Sequence, residues 1–397
     1  MAARLLAHEV ADLCLGKPSL NSLSISTTIR HALTALKSTD DTHISIWSCD
    51  HHHSKLDQSF VINECRCIGK ICMVDVICYL CKEENIKNPA LALDCPVSVL
   101  LSHETNVVRH VEPATSLVEA IDLIIEGAQN LVVPIRSRTT INSKRKQNVH
   151  HQELVAHTTH AGLGEFCWLT QEDVIRFLLS SIGSFSPTAA YSVESLGIID
   201  IDIKTANYHS PASTAVELIK NSLVDQTSVA VTDDDGILIG EISPFTLAYC
   251  DETTAAAITT LSAGDLMAYI DCGGPPEDIV KLVEMRLKER NLKGMLDEFL
   301  MNSTILSSSS DDELSPLGEK MKSLRYSRSS SYSARITRRA EAIVCYPGSS
   351  LVAVMIQAVA HRVSYVWVIE EDCSVVGIVR FSGMLEVFRA HLESMMN

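Results

Sequence analysis

One pattern recurs four times along the chain and limits its fold more than any single motif: an amphipathic segment of helical period, two short β-rich runs, then a second amphipathic segment. A unit this short cannot bury its apolar face alone, so the copies must pack on one another. The second copy is clearest. Glu112-Pro113-Ala114-Thr115-Ser116 opens a helix in which Leu117, Ala120, Ile121, Ile124 and Ile125 recur at spacings of three and four. Residues 131–135 and 166–169 then read as strands and 172–179 as the closing helix. The first copy gives 28–36, 44–47, 68–72 and 74–81 in the same order. The third gives 212–223, 228–232, 237–242 and a helix from about Pro244, with Asp233-Asp234-Asp235-Gly236 as a tight turn. The fourth gives 350–360, 365–369, 375–379 and 384–392, turning at 370–374.

Helix, strand, hairpin turn, strand ending in Gly-apolar-apolar-Ser/Thr, and helix resembles the CBS domain, whose repeats pair into discs called Bateman modules. Residues 10–18, 119–124, 240–244 and 261–267 resemble a plant branch of four-repeat CBS domain-containing proteins. The resemblance implies an α+β fold of four β-α-β-β-α repeats forming two modules, with two polar inserted loops. Expected repeat boundaries are 10–84, 97–181 with an inserted loop at 136–165, 193–260, and 261–392 with an insertion at 273–340.

The two insertions differ in character. The first carries Arg136, Arg138, Lys144, Arg145 and Lys146, then His150, His151, His157 and His160, and reads as a mobile loop. In the second, Pro275-Pro276-Glu277-Asp278 is a helix start with acids at the positive dipole end. Ile279, Leu282 and Val283, then Leu292, Met295, Leu296, Phe299 and Leu300, keep helical spacing, so a helix or helix pair is expected. Residues 303–333 then hold twelve serines, too polar to bury, and disorder is expected there. Seven Lys/Arg and no acid lie between Lys320 and Arg339, interleaved with serines, which makes Ser329, Ser330 and Ser331 phosphorylation candidates for a basophilic kinase. The same run also reads as a solvated linker.

In nucleotide-binding members of the resembled family the second strand runs Gly-x-x-Ser/Thr-x-x-Asp, the carboxylate accepting both ribose hydroxyls. A vicinal diol offers two donors, and a carboxylate at a helix N-terminus can take both while the dipole favours its charge. At that spacing the chain shows Gly69, Cys72 and Asp75, then Cys167, Thr170 and Asp173, then Gly240, Ser243 and Thr246, and finally Gly377, Arg380 and Gly383. The first two copies keep the acid and the last two lack it. Thr170 with Asp173 is therefore the first candidate ribose site and Asp75 with Cys72 the second, with Ser243 contributing only a hydroxyl. Asp75 and Asp173 read equally well as helix-capping acids. Kinase-regulatory relatives place basic residues just before the first strand, where Gln129, Asn130, Ser364 and Tyr365 stand here and the nearby Arg362 reads as a packing residue, so cationic phosphate contacts are expected to be sparse.

Composition removes other classes. Lys+Arg of 33 against Asp+Glu of 49 leaves 33 − 49 = −16, which disfavours general nucleic-acid binding. No run reaches the roughly 18 apolar residues of a membrane span, and 351–369 is interrupted by Gln357, His361 and Arg362. The start of the chain, broken by Arg4, His8, Glu9 and Asp12, does not read as a signal peptide, so a cytoplasmic or nuclear, reducing location is expected. Cys78 and Cys81, with Cys65, Cys67 and His51–His53 nearby, lack the spacing of a zinc site and read as core thiols. Gly162-Leu163-Gly164 lacks the third glycine of a dinucleotide loop, and no nucleophile elbow, Walker loop or His-Glu-x-x-His occurs.

The expectation is a non-catalytic regulatory or scaffold protein with no required cofactor. By the resemblance its regulatory ligand is AMP, ATP or S-adenosylmethionine, and it acts on a protein partner or a second copy of itself. The alternatives are a γ-type regulatory subunit of a protein kinase, or a regulator of thioredoxin-type redox enzymes.

Overall fold

The computed structural model describes residues 7–39, 41–48, 66–101, 108–135, 165–271, 275–307 and 341–396. The expected loop at 136–165 lies outside them except for Glu165. So do the serine-rich stretch beyond Ser307 and the candidate residues Ser329, Ser330 and Ser331.

Four three-stranded sheets repeat one topology, a parallel pair followed by an antiparallel pair. The first holds β1 (Ser22–Ser24), β2 (His43–Trp47) and β3 (Cys67–Cys72), and the second β4 (Val108–His110), β5 (Asn130–Ile135) and β6 (Glu165–Thr170). The third holds β7 (Thr205–Asn207), β8 (Val229–Thr232) and β9 (Leu238–Ile242), and the fourth β10 (Val344–Cys345), β11 (Tyr365–Ile369) and β12 (Val375–Arg380). The central strand of each sheet is covered on both faces, so all of Tyr365–Ile369 is buried and the sequence reads as a continuous apolar run rather than an alternation.

Helices close each unit. Ile29–Ser38 is capped by the Thr28 hydroxyl, Leu117–Ile125 by Ser116 and Leu351–His361 by Ser350. Repeat 3 departs from the expected continuous helix: Ala212–Ala215 is a 3-10 turn leading into Val216–Asp225. The helix expected from Pro244 ends at Leu247 and a new one runs over Thr254–Thr260. Asp251 sits in the break, its carboxylate accepting the Thr253 amide at 2.9 Å.

Each repeat's lead-in crosses to its partner. Val10 N donates to Thr115 O (2.9 Å) and Leu117 N to His8 O (3.0 Å), while Val97 N donates to Thr27 O (2.8 Å) and Ile29 N to Cys95 O (2.9 Å). The same exchange joins Val193 to Ser349, Leu351 to Tyr191, Ala212 to Leu261 and Ala263 to Ser210. Repeats 1 and 2 thus form one module and repeats 3 and 4 the other.

The two large hydrophobic cores cut across that division, while a small cluster of Trp47, Cys67, Val132 and Phe166 stays within the first module. One joins repeats 1 and 3 through Ile29, Ile77, Ile219 and Ile258. The other joins repeats 2 and 4 through Ile121, Ile175, Met355 and Phe388. Polar ties follow the same lines, with Lys37 paired to Glu252 and Arg389 Nε 2.5 Å from Asp122 Oδ1. The second insertion forms two helices, Glu277–Glu289 and Lys293–Ser307, separated by Asn291 in the left-handed region (φ 56). They dock on the repeat 1 and 3 core through Val283, Leu287, Met295 and Phe299, and Arg286 Nη1 donates to Thr260 O at 2.8 Å. Contact there is close enough that a Cβ on Gly294 would lie 2.6 Å from the Lys87 carbonyl oxygen.

Candidate functional site

Antiparallel register makes corresponding positions of the four repeats comparable. Ile46 faces Gly69, Val133 faces Cys167, Val231 faces Gly240 and Val368 faces Gly377. The residue after each of these strand positions is Lys70, Trp168, Glu241 and Ile378. Three residues before the facing valines of repeats 2 and 4 stand Asn130 and Tyr365. Across the first module Lys70 Nζ donates to Asn130 Oδ1 at 2.5 Å, and across the second Tyr365 Oη donates to Glu241 Oε1 at 2.9 Å. The same contact is thus made with different chemistry.

In the second module that contact lies in a filled interior. In the second, Trp367 Nε1 also donates to Glu241 Oε2 (2.8 Å) and the Ser243 hydroxyl lies 3.0 Å from Tyr365 Oη. Tyr365 and Trp367 are fully buried, and burial together with the Glu241 charge pushes the Tyr365 phenol well up. Ser243 is 1% exposed and caps Phe245 N, so the hydroxyl singled out in repeat 3 faces a filled interior.

In the first module Lys70 and Trp168 line a cavity of about 530 Å³ at the junction of all four repeats. Lys17, Arg176 and Arg362 share its wall with Lys70, against Asp41 and Glu172. Cationic groups are therefore not sparse here, contrary to expectation. They come from a lead-in, a strand, a closing helix and a helix C-cap rather than from the positions before the first strands. Burial pulls the Lys70 ammonium down to about 8, opposed by Cys72 and Asp75, and burial with the Lys70 charge pulls His43 down to about 3. At neutral pH the cavity holds a cationic lysine beside an uncharged histidine.

Of the sequence candidates, Thr170 and Cys72 line this cavity. Asp173 forms a capping box on Gln171–Ser180: its Oδ2 accepts from Thr170 N and Thr170 Oγ1, both at 2.7 Å. The same oxygen also accepts from Lys17 Nζ at 2.5 Å. Asp75 makes the corresponding box on Met73–Leu80, taking Cys72 N at 2.7 Å, and burial pushes its carboxyl up to about 6. Both acids cap their helices, and Asp173 is in addition engaged by a cation that belongs to the cavity wall. Cys72 is 1% exposed and its thiol is pushed well up by burial. Cys78 is buried and Cys81 partly so, and among the described residues no group of three or more His, Cys, Asp or Glu is placed to hold a metal. Among the described residues no helix is long and apolar enough to cross a membrane.

Four β-α-β-β-α repeats joined in pairs by exchanged lead-ins define a protein built of two CBS modules, and the chain belongs to the CBS domain-containing proteins, in their plant branch. It is 49% identical over 405 residues to CBS domain-containing protein CBSX5 from Arabidopsis thaliana, spanning 99% of this chain and 100% of that one. CBSX6 from the same plant is 28% identical over 97% of this chain and 94% of its own length. The SNF1-related protein kinase regulatory subunit gamma-like PV42b of Arabidopsis is 18% identical over 82% of this chain and 77% of that protein. Among solved structures, protein MJ1225 from Methanocaldococcus jannaschii shares the fold with a TM-score of 0.53 at 14% identity, over 96% of this chain and 100% of that one. No family model matches the chain.

Proposed function

We propose that this chain is a non-catalytic regulatory or scaffold protein that binds an adenosine-containing, phosphate-bearing ligand in the cavity where its four repeats meet and passes the bound state to a protein partner. The cavity at the four-repeat junction carries the reading, because four cations face a space of about 530 Å³ that also exposes Thr170 and Trp168. Trp168 offers a flat apolar face for a purine, and Thr170 with Asp173 offers the ribose end. Lys17, Lys70 and Arg362 supply charge-assisted contacts to phosphate, whereas Arg176 is held by Glu172, its Nε and Nη2 donating to Oε1 at 2.8 and 2.6 Å. A ribose that reaches Asp173 must take a place beside Lys17 on its carboxylate, which frees part of that ammonium for the phosphate. Ligand bound there touches both modules, so it favours one relative packing of the repeats over another, and a partner reads that shift.

Thermal unfolding of the intact chain with AMP, ADP, ATP or S-adenosylmethionine tests this. A ligand that binds only the folded state stabilises by RT ln(1 + [L]/Kd), about 2.7 kcal/mol at a hundredfold excess over Kd. The expected result is a rise in Tm with one or more of the four, reduced in Asp173→Ala. No shift with any of them contradicts the reading. The likeness to PV42b favours a protein kinase as the partner, and affinity purification from plant tissue that retrieves no kinase subunit would count against that choice.

A further inference from the structure

The cavity at the four-repeat junction has two unlike walls, and corresponding positions of repeats 2 and 3 show why. Thr170 and Ser243 are the N-caps of the helices that follow β6 and β9. Counting on from them, Glu172 matches Phe245 and Arg176 matches Tyr249, and all four line the cavity. In repeat 2 these positions hold a self-satisfied ion pair, Arg176 Nη2 lying 2.6 Å from Glu172 Oε1. In repeat 3 the same two positions carry aromatic rings.

The repeat 3 wall suits a flat apolar group. Phe245 is half-buried and lies against Tyr365, ring centroids 6.0 Å apart at 49°, so the buried Glu241 network backs it. Tyr249 is 37% exposed, and Leu223 and Ala248 add apolar surface beside it. Two hydrogen-bonding residues stand on the same wall. Gln226 is held in the left-handed region at φ 55. Ser222 is fully buried, and its hydroxyl has no hydrogen-bond partner among the described residues. A buried hydroxyl in that state is unfavourable, so a ligand atom that pairs with it gains more than it would at an exposed one.

A mononucleotide with its base on Trp168 and its ribose on Thr170 and Asp173 leaves this wall unused. We propose that the ligand carries a second ring beyond its phosphates, and that it is a dinucleotide, two nucleosides joined through phosphates, with one base on Trp168 and the other on Phe245 and Tyr249. This rests on the nucleotide reading above and extends it to repeat 3. Stacking on aromatic side chains holds both bases, because every base has a flat π-face. Gln226 and the Ser222 hydroxyl bond the polar edge of the second nucleoside. The phosphates meet Lys17 and Lys70 from repeat 1 and Arg362 from repeat 4. Neither module alone presents both rings, so this ligand ties the state of one module to that of the other.

Isothermal titration calorimetry of the intact chain compares AMP and ATP with NAD+ and diadenosine triphosphate. NAD+ probes a pyridinium ring at the second position and diadenosine triphosphate a purine. At least one of the two is expected to bind about tenfold or more tightly than either mononucleotide, the gain from one further stacked base. Tyr249→Ala is expected to bring that dinucleotide down to the affinity of the mononucleotides, and Tyr249→Phe, which keeps the ring, to retain the advantage. Dinucleotides that bind no more tightly than AMP and ATP overturn the proposal and leave the nucleotide reading standing. An advantage that persists in Tyr249→Ala does the same. Absence of binding by all four compounds overturns both.

Discussion

Glu241 places a carboxyl group, 6% exposed, between two repeats, where it accepts from the Tyr365 hydroxyl and the Trp367 indole. Removing it leaves two buried donors without this acceptor, each costing about 1–3 kcal/mol. Glu241→Ala is expected to lower the unfolding free energy by about 2–5 kcal/mol in chemical denaturation, and a loss under 1 kcal/mol would contradict the account of the closed module. Asp75 makes a different prediction. Its carboxyl is raised to about 6 from an unfolded value near 3.8, so the folded state holds its proton more tightly. Stability from this group is therefore complete below about pH 4 and is lost as pH rises through 6. Asp75→Asn, which keeps a cap acceptor, is expected to flatten the fall in Tm between pH 4 and 7. Parallel profiles for wild type and variant would contradict the burial of this carboxyl. The capping boxes at Thr170–Asp173 and Cys72–Asp75 were legible in the sequence because both partners sit three residues apart. The lysine on Asp173 was not, since Lys17 lies 156 residues away.

At the scale of elements, the helices with three-and-four spacing and the central strands follow from their own periodicity. The first strands β1, β4, β7 and β10 do not, being two or three residues long and carrying no period to read. Breaks inside repeat 3 also escaped, because Ala212–Ala215 and the Asp251 turn are decided by contacts with the neighbouring lead-in and with Thr253. The inserted pair Glu277–Glu289 and Lys293–Ser307 is the opposite case. Its amphipathic spacing predicted helices, and packing on the repeat 1 and 3 core gives those apolar positions their partners. Leu287, fully buried there, is expected to cost about 2–5 kcal/mol as Leu287→Ala, while Met301→Ala at a 67% exposed position changes stability by less than about 0.5 kcal/mol. Equal effects in urea denaturation would mean that the helices are not docked.

At the scale of the whole molecule, the lead-ins pair repeats 1 with 2 and 3 with 4, whereas the cores pair 1 with 3 and 2 with 4. Both large cores span the two modules, and only a small cluster of Trp47, Cys67, Val132 and Phe166 belongs to the first module alone, so neither module can unfold without opening both large cores, and calorimetry is expected to show one cooperative transition. Two well-separated transitions, or an isolated module that stays folded, would contradict this. The number of repeats was readable from the sequence, but the crossed arrangement was not, because it depends on which apolar helix faces meet. The cavity is the product of that arrangement: its cations come from repeats 1, 2 and 4, and only the folded chain brings them together. The most direct test of the central claim is isothermal titration calorimetry of the intact chain with AMP and ATP, on wild type and on Lys70→Met. The account predicts one ligand per chain, with affinity at least tenfold weaker in the variant. Absence of binding, or an affinity that Lys70→Met leaves unchanged, would contradict it.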